Sequence, residues 1–156
     1  MKLKQIKKAI LIWGIVSQDG INQLKNEKEL VIVPEQRPYL IGLLQNAPLL
    51  KKEDLDFVYC TDNMLGYLFY QDKIKKTVIF YKELTPKGII GVSGSLYVGL
   101  LSYLHKVPIK ILPEGKTNYN FKDFSAKTLW GKNFVLEKED FVIEPKEELV
   151  SYSVLR

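Results

Sequence analysis

The chemistry open to this chain sits in four short polar clusters. Glu35, Gln36 and Arg37 lie between Pro34 and Pro38, in a loop that the two prolines stiffen. Thr61, Asp62 and Asn63 follow the apolar run DFVYC, and Lys82 and Glu83 follow TVIFY. Gly91, Ser93, Gly94 and Ser95 precede the apolar stretch LYVGLLSYL. A carboxylate such as Asp62, with Asn63 beside it, can serve as acid or base, hold a ribose hydroxyl, or cap the next helix. Arg37 carries a planar fork suited to phosphate, and Glu35 can either pair with it or join it at a ligand. The glycine–serine turn opens a helix. It either cradles an anion on free backbone N–H groups at the positive dipole end or simply makes a tight strand-to-helix turn.

Other chemistry is excluded. G-x-x-x-x-G-K-[ST] and G-x-G-x-x-G are both absent, so neither a P-loop nor a dinucleotide fingerprint is present. One cysteine, Cys60, and one histidine, His105, cannot assemble a zinc site, and a lone cysteine forms no internal disulfide. Cys60 ends an apolar run and is expected to be a buried, inert thiol. His105 falls at the far end of its helix from the serine loop, so it is expected to help end that helix and not to form a triad. Neither a metal nor a cofactor is expected.

The clusters follow apolar runs of strand length. AILIW (9–13) and ELVIV (29–33) read as buried strands, and DFVYC (56–60), TVIFY (77–81) and IKIL (109–112) as further strands. Helical stretches separate them: from a cap at Asp19 through Lys25, from Tyr39 to about Gln45 with Pro48 interrupting it or marking its end, from Met64 to Tyr70, and from Ser95 or Leu96 to His105. Lys82 to Lys87 reads as a charged loop. Strands alternating with helices make an α/β fold, a mostly parallel sheet with helices on both faces. Ligands of such sheets sit beyond the carboxyl ends of the strands, where all four clusters fall. From Glu114 onward the period is lost, and Phe134–Leu136 and Phe141–Ile143 are expected to be short extended segments. Residues 1–150 therefore read as one domain, with 114–150 as a C-terminal extension of it.

At 156 residues the chain is long enough for one real core, and 46% apolar and 26% charged residues suit a globular protein. A net charge of +5 permits anionic partners. The cations are lysines scattered among glutamates, with Arg37 and Arg156 as the only arginines, so a nucleic-acid face is not expected. No apolar run approaches the length of a membrane span, and MKLKQIKKAILIWGIV reads as a first buried strand and not as a leader. The cysteine count points to a reducing, cytoplasmic setting.

Taken together, the loops resemble a known set. VPEQRPYLIG resembles the E-T-R-P-x-x-Q-G stretch of methylthioribose-1-phosphate isomerases and of the regulatory subunits of translation initiation factor 2B. VYCTDNMLGYLF is similar to that superfamily's strand, T-D-N/S and helix, and KIKKTVIFYKELTPKGIIGVSGSLYVGLLSYLHKVPIKIL to its strand, G-T turn, helix and H-G-[IV]-P strand. VIEPKEELV is similar to the segment that closes the domain. The resemblance runs from about Ala9 to Val150 and implies a Rossmann-like sheet. It also implies a homodimer, because the superfamily's homologous domains pair with each other.

Departures from the superfamily pattern shape the functional expectation. Its catalytic aspartate lies in a G-A-D motif where this chain has Phe80, Tyr81, Lys82 and Glu83. Its asparagine–lysine pair falls at Gly91-Val92 or its neighbours, and the half that precedes this domain in the isomerases lies outside the sequence. The expectation is an initiation-factor-2B-like domain without the isomerase centre, standing alone or completed by a partner chain. It would act as an assembly module or bind a phosphorylated sugar or nucleotide through Glu35, Arg37, Asp62, Asn63, Gly91, Ser93, Gly94 and Ser95. One alternative is a sugar-phosphate isomerase using Asp62 and Glu83 as a substituted acid/base pair. The other is a partner of the translation machinery.

Overall fold

The computed structural model describes residues 6–117 and 145–156. In chain order the elements are β1 (Ala9–Trp13), α1 (Gln18–Glu27) and β2 (Val31–Pro34), then a wide π-type turn, Gly42–Asn46, that runs into α2 (Ala47–Lys52). Next come β3 (Phe57–Cys60), a tight helical turn, Asp62–Met64, that runs into α3 (Leu65–Tyr70), and β4 (Ile74–Thr85). β5 (Gly88–Gly91), α4 (Ser95–Leu104), β6 (Ile109–Pro113) and β7 (Glu148–Ser151) complete the set.

Five strands, β3-β2-β1-β4-β6, run parallel. Runs that are apolar on both sides belong in such a sheet, because helices cover both of its faces. Alternation along β1 divides the core in two. Ile10 and Ile12 face α1 and α2, packing with Ile21, Leu24 and Leu50. Leu11 and Trp13 face α3 and α4, packing with Leu65, Leu68, Phe69 and Val98. Each of these side chains contributes roughly 1.5–3 kcal/mol of burial. The order reverses between β1 and β4, which makes their carboxyl ends the switch point where ligands of such sheets collect.

The sheet goes further than the sequence pattern suggests. The stretch read as the loop Lys82–Lys87 continues β4 as far as Thr85 and turns tightly into β5, which runs antiparallel to it. Thr85 Oγ1 closes the turn, accepting from the N–H groups of Lys87 (3.2 Å) and Gly88 (3.1 Å). β7 then adds antiparallel to β5, with Val150 fully buried. Tyr81 pairs with Gly91 on one edge and Pro113 on the other. β5 therefore takes over the edge of β4 that β1 occupies lower down.

Smaller differences have local causes. Ser17, not Asp19, caps α1, accepting from Gly20 N–H at 3.3 Å, while Asp19 lies inside the first turn. Pro48 does not end its helix. The wide turn ahead of it shifts the register, so its missing N–H falls in the first turn of α2. His105 caps α4 as expected, its N–H bonding Leu101 O at 3.0 Å. Phe134–Leu136 and Phe141–Ile143 lie outside the described residues. Among the described residues no helix is long and apolar enough to cross a membrane.

Candidate functional site

The loop after β1 is held by side chains from two other elements. Gln36 Oε1 accepts from Gly14 N–H at 2.8 Å. Asn46 Nδ2 donates to Gly14 O at 2.8 Å, and Asn46 Oδ1 accepts from Val16 N–H at 3.0 Å. Both side chains are buried. Gly115, in the loop after β6, donates its N–H to Ile15 O at 2.9 Å, so the loops beyond β1, β2 and β6 form one platform. Gly14 has φ +93°, and a Cβ there would lie 2.5 Å from Phe80 O. The Gly14 N–H fixes which way the Gln36 amide faces, and this leaves Gln36 Nε2 buried without a hydrogen-bond partner.

Beside this platform the Asp62 carboxylate accepts from the N–H of Gln36 (2.8 Å) and of Arg37 (2.7 Å). It thereby ties the loop after β3 to the loop after β2. Burial raises the Asp62 pKa above the ordinary value, and Glu35 adds to the rise; the two N–H donors and the Arg37 charge oppose it. Arg37 Nε pairs with Glu35 at 3.2 Å. Asn63 Oδ1 accepts from Thr61 Oγ1 at 2.6 Å. Glu35, Arg37 and Asp62 thus form one cluster, with Asn63 next to Asp62 in the chain and bonded to Thr61. Cys60 lies half-buried below it, its thiol pushed up to about 12 by burial first and then by the charges of Asp62 and Glu35.

The glycine–serine turn belongs to a second cluster, and its anion donors are taken from within the chain. Glu148 of β7 accepts from Gly94 N–H (3.0 Å) and Leu96 N–H (2.8 Å) at the start of α4. Ser95 is fully buried and donates its hydroxyl to Val92 O at 2.6 Å. Ser93 O accepts from the Trp13 indole at 3.2 Å. Gly94 has φ +89°, and a Cβ there would lie 2.2 Å from the Trp13 ring. Glycine is therefore required where this turn crosses β1. The Cβ of any residue at Gly91 would lie 2.4 Å from Ser95 Oγ.

Glu83 is exposed on β4, opposite Ile90. β3 and β4 are not neighbours, with β2 and β1 between them, and the Asp62 carboxylate is turned onto the loop after β2, so no strand pairing brings Asp62 and Glu83 together. Lys82 pairs with Glu147, which raises its pKa. Burial raises the pKa of nearby Glu114. Among the described residues no group of His, Cys, Asp and Glu side chains could hold a metal ion.

Sequence reasoning passed over Asn46 and Glu148. Asn46 is a polar residue on the buried side of a helical run, and that was a readable signal. Glu148 meets Gly94 across 54 residues of chain, and no local spacing announces it.

One surface stands out for its lack of charge. Residues 63–71 and 88–104, which include α3 and α4, contain no Asp, Glu, Lys or Arg. Met64, Tyr67 and Tyr70 of the α3 segment are exposed, as are Tyr97, Leu100 and Tyr103 of α4. The two helices are neighbours, since a Cβ at Gly66 would lie 3.8 Å from the Tyr97 hydroxyl.

Parallel strand order, strand-end polar loops and an antiparallel hairpin over the switch point define a Rossmann-like α/β domain. The chain belongs to the initiation factor 2 subunit family, whose model matches residues 17–137. It is 28% identical over 88 residues to methylthioribose-1-phosphate isomerase of Fervidobacterium nodosum. It is 30% identical over 86 residues to methylthioribose-1-phosphate isomerase 1 of Pseudothermotoga lettingae. These alignments cover 56% and 54% of this chain, which spans only 25% of each relative. The crystal structure of 5-methylthioribose 1-phosphate isomerase from Pyrococcus horikoshii superposes with a TM-score of 0.76 at 13% identity, covering 97% of this chain and 49% of that one. Translation initiation factor eIF-2B subunit delta from A. fulgidus superposes with a TM-score of 0.77 at 14% identity, covering 97% and 52%. The superfamily and the Rossmann-like fold implied by the motifs are thus borne out.

Proposed function

We propose that this chain is an assembly module of its family, pairing with a second copy through the outer face of α3 and α4. The observation that carries this reading is the uncharged apolar stripe across the two helices. Tyr70 is 74% exposed and Leu100 47%, on a chain in which 26% of residues are charged. Contiguous apolar surface of this kind marks a contact site on an otherwise polar protein. The relative from A. fulgidus is itself named as a subunit. The filled anion cradle at α4 supports the same reading, because its donors already have a carboxylate. Sedimentation equilibrium of the full chain tests it: a dimer is expected at micromolar concentration. Leu100→Glu together with Tyr67→Glu should give a monomer with an unchanged circular dichroism spectrum. A wild-type monomer at about 100 µM would sink the reading, since interfaces of standard size hold well below that concentration.

A second reading draws on the Asp62 cluster. Gln36 Nε2 is a buried donor without a partner, next to residues suited to a phosphorylated sugar, and the two isomerase relatives act on methylthioribose 1-phosphate by name. In this reading Glu35, Arg37, Asp62 and Asn63 contact the ligand, and Gly91, Ser93, Gly94 and Ser95 contribute only where Glu148 withdraws. Isomerisation by Asp62 and Glu83 acting as a direct pair is opposed by their separation. Millimolar ribose 5-phosphate should raise the melting temperature in wild type and not in Arg37→Ala. No shift in wild type would remove this reading and leave the first untouched.

A further inference from the structure

A groove of about 510 Å³ opens where α4 ends, far from the strand-end loops. Tyr103, Leu104, Val107 and Pro108 give it apolar walls, and Leu104 is 72% exposed. The Ser102 hydroxyl in its lining is turned away, donating to Val98 O at 2.9 Å and lying in hydrogen-bond contact with Thr77 Oγ1 at 2.8 Å. Two cations, Lys106 and Arg156, also line it. Among the described residues neither forms an ion pair. From Leu84 to Pro113 the chain carries no acidic residue at all.

Lys106 is held in place by the end of the helix. Its backbone is left-handed, φ 56°, its N–H bonds Tyr103 O at 3.2 Å, and the next N–H, Val107, bonds Ser102 O at 2.9 Å. The last carbonyls of α4 favour a cation at this end. Unpaired cations against an apolar wall call for the opposite arrangement in whatever binds: carboxylates on either side of an apolar side chain. Arg156 can take a carboxylate with two parallel bonds and Lys106 as a point charge. The groove is open along exposed Tyr103 and Leu104, which suits an extended peptide better than an enclosed small molecule.

We propose that this groove docks an acidic segment of a partner protein, a short extended stretch in which an apolar residue is flanked by carboxylates. Tyr103 borders both this groove and the outer face of α3 and α4, whereas Lys106, Val107, Pro108 and Arg156 lie beyond the end of α4, and the contact does not depend on the pairing of two copies. The test is fluorescence anisotropy of the full chain with a labelled heptapeptide alternating glutamate with leucine and phenylalanine, and with its glutamine counterpart. The acidic peptide should bind with a Kd of about 10–100 µM at low salt and weaken with added salt, as rim charges do. Lys106→Glu with Arg156→Glu should weaken it at least about tenfold, and Arg156→Glu alone by less. Three outcomes overturn the proposal. The first is equal binding of the glutamine peptide. The second is unchanged affinity in both variants or no binding at all. The third is self-association of the wild type that the charge reversals abolish, which would put a second copy in the groove.

Discussion

Removing the Glu148 carboxylate exposes how the start of α4 is held. In Glu148→Ala, Gly94 N–H and Leu96 N–H lose their shared acceptor, and the positive end of the helix loses its neighbouring charge. A lost helix cap costs about 0.5–2 kcal/mol, and a charge at a helix end about 0.3–1 kcal/mol. Glu148 is only half-buried, so water recovers part of this, and a total of about 2 kcal/mol is expected. For a chain of this size that lowers the melting temperature by about 4–8 °C. Glu148→Gln keeps one acceptor oxygen and should fall about half as far. The vacated cradle should also accept a free anion. Inorganic phosphate at ten times its Kd would return about 1.4 kcal/mol to Glu148→Ala and much less to wild type, where the carboxylate competes. Differential scanning fluorimetry with and without phosphate reads all three effects. A Glu148→Ala melting temperature within about 1 °C of wild type would refute the capping role. Equal phosphate effects in the two proteins would refute the cradle.

Three further outcomes follow from the same geometry. Gly94→Ala combines a left-handed backbone with a Cβ 2.2 Å from the Trp13 ring, so it should cost about 3 kcal/mol in urea denaturation and shift the tryptophan emission. Cys60, with its pKa near 12, should be alkylated by iodoacetamide at pH 8 at least about a hundred times more slowly folded than unfolded, and comparable rates would contradict its placement. Asp62 should titrate above an ordinary aspartate when followed by carboxyl-carbon NMR. Because its folded pKa is the higher one, this group's contribution to stability is greatest at low pH. It declines as the pH rises from the ordinary aspartate value through the folded one.

How legible this molecule is from its sequence varies with the range of the contacts. The central strands β1 and β2 are readable because both of their faces are covered, which leaves continuous apolar runs such as AILIW, while β3 and β6 at the edges are partly exposed and are recognised by their place in the alternation. The clustering of Glu35, Arg37 and Asp62 follows once those strands are placed, since neighbouring strands bring their end loops together. The antiparallel part is not readable. Lys82 and Glu83 lie on the exposed part of β4, where the sheet leaves its helical cover, and they look like a loop because nothing buries them. The two partners of the α4 start, Trp13 and Glu148, come from opposite ends of the chain, so the glycine–serine turn reads equally well as an open phosphate site.

Tyr81, bonded on both edges, makes β4 a ruler for the whole sheet. Below it the strand is read by β1 and above it by β5, with β6 running along the other side. One residue inserted between Phe80 and Tyr81 would advance the hairpin by one step and turn Ile89, and with it Val150, toward solvent. The same insertion between Pro86 and Lys87 would keep the register and disturb only the Thr85 Oγ1 bonds that close the turn. Within this hairpin a change of length keeps the register only at the tip, and the Glu148 carboxylate reaches α4 only while the count inside the strands is kept.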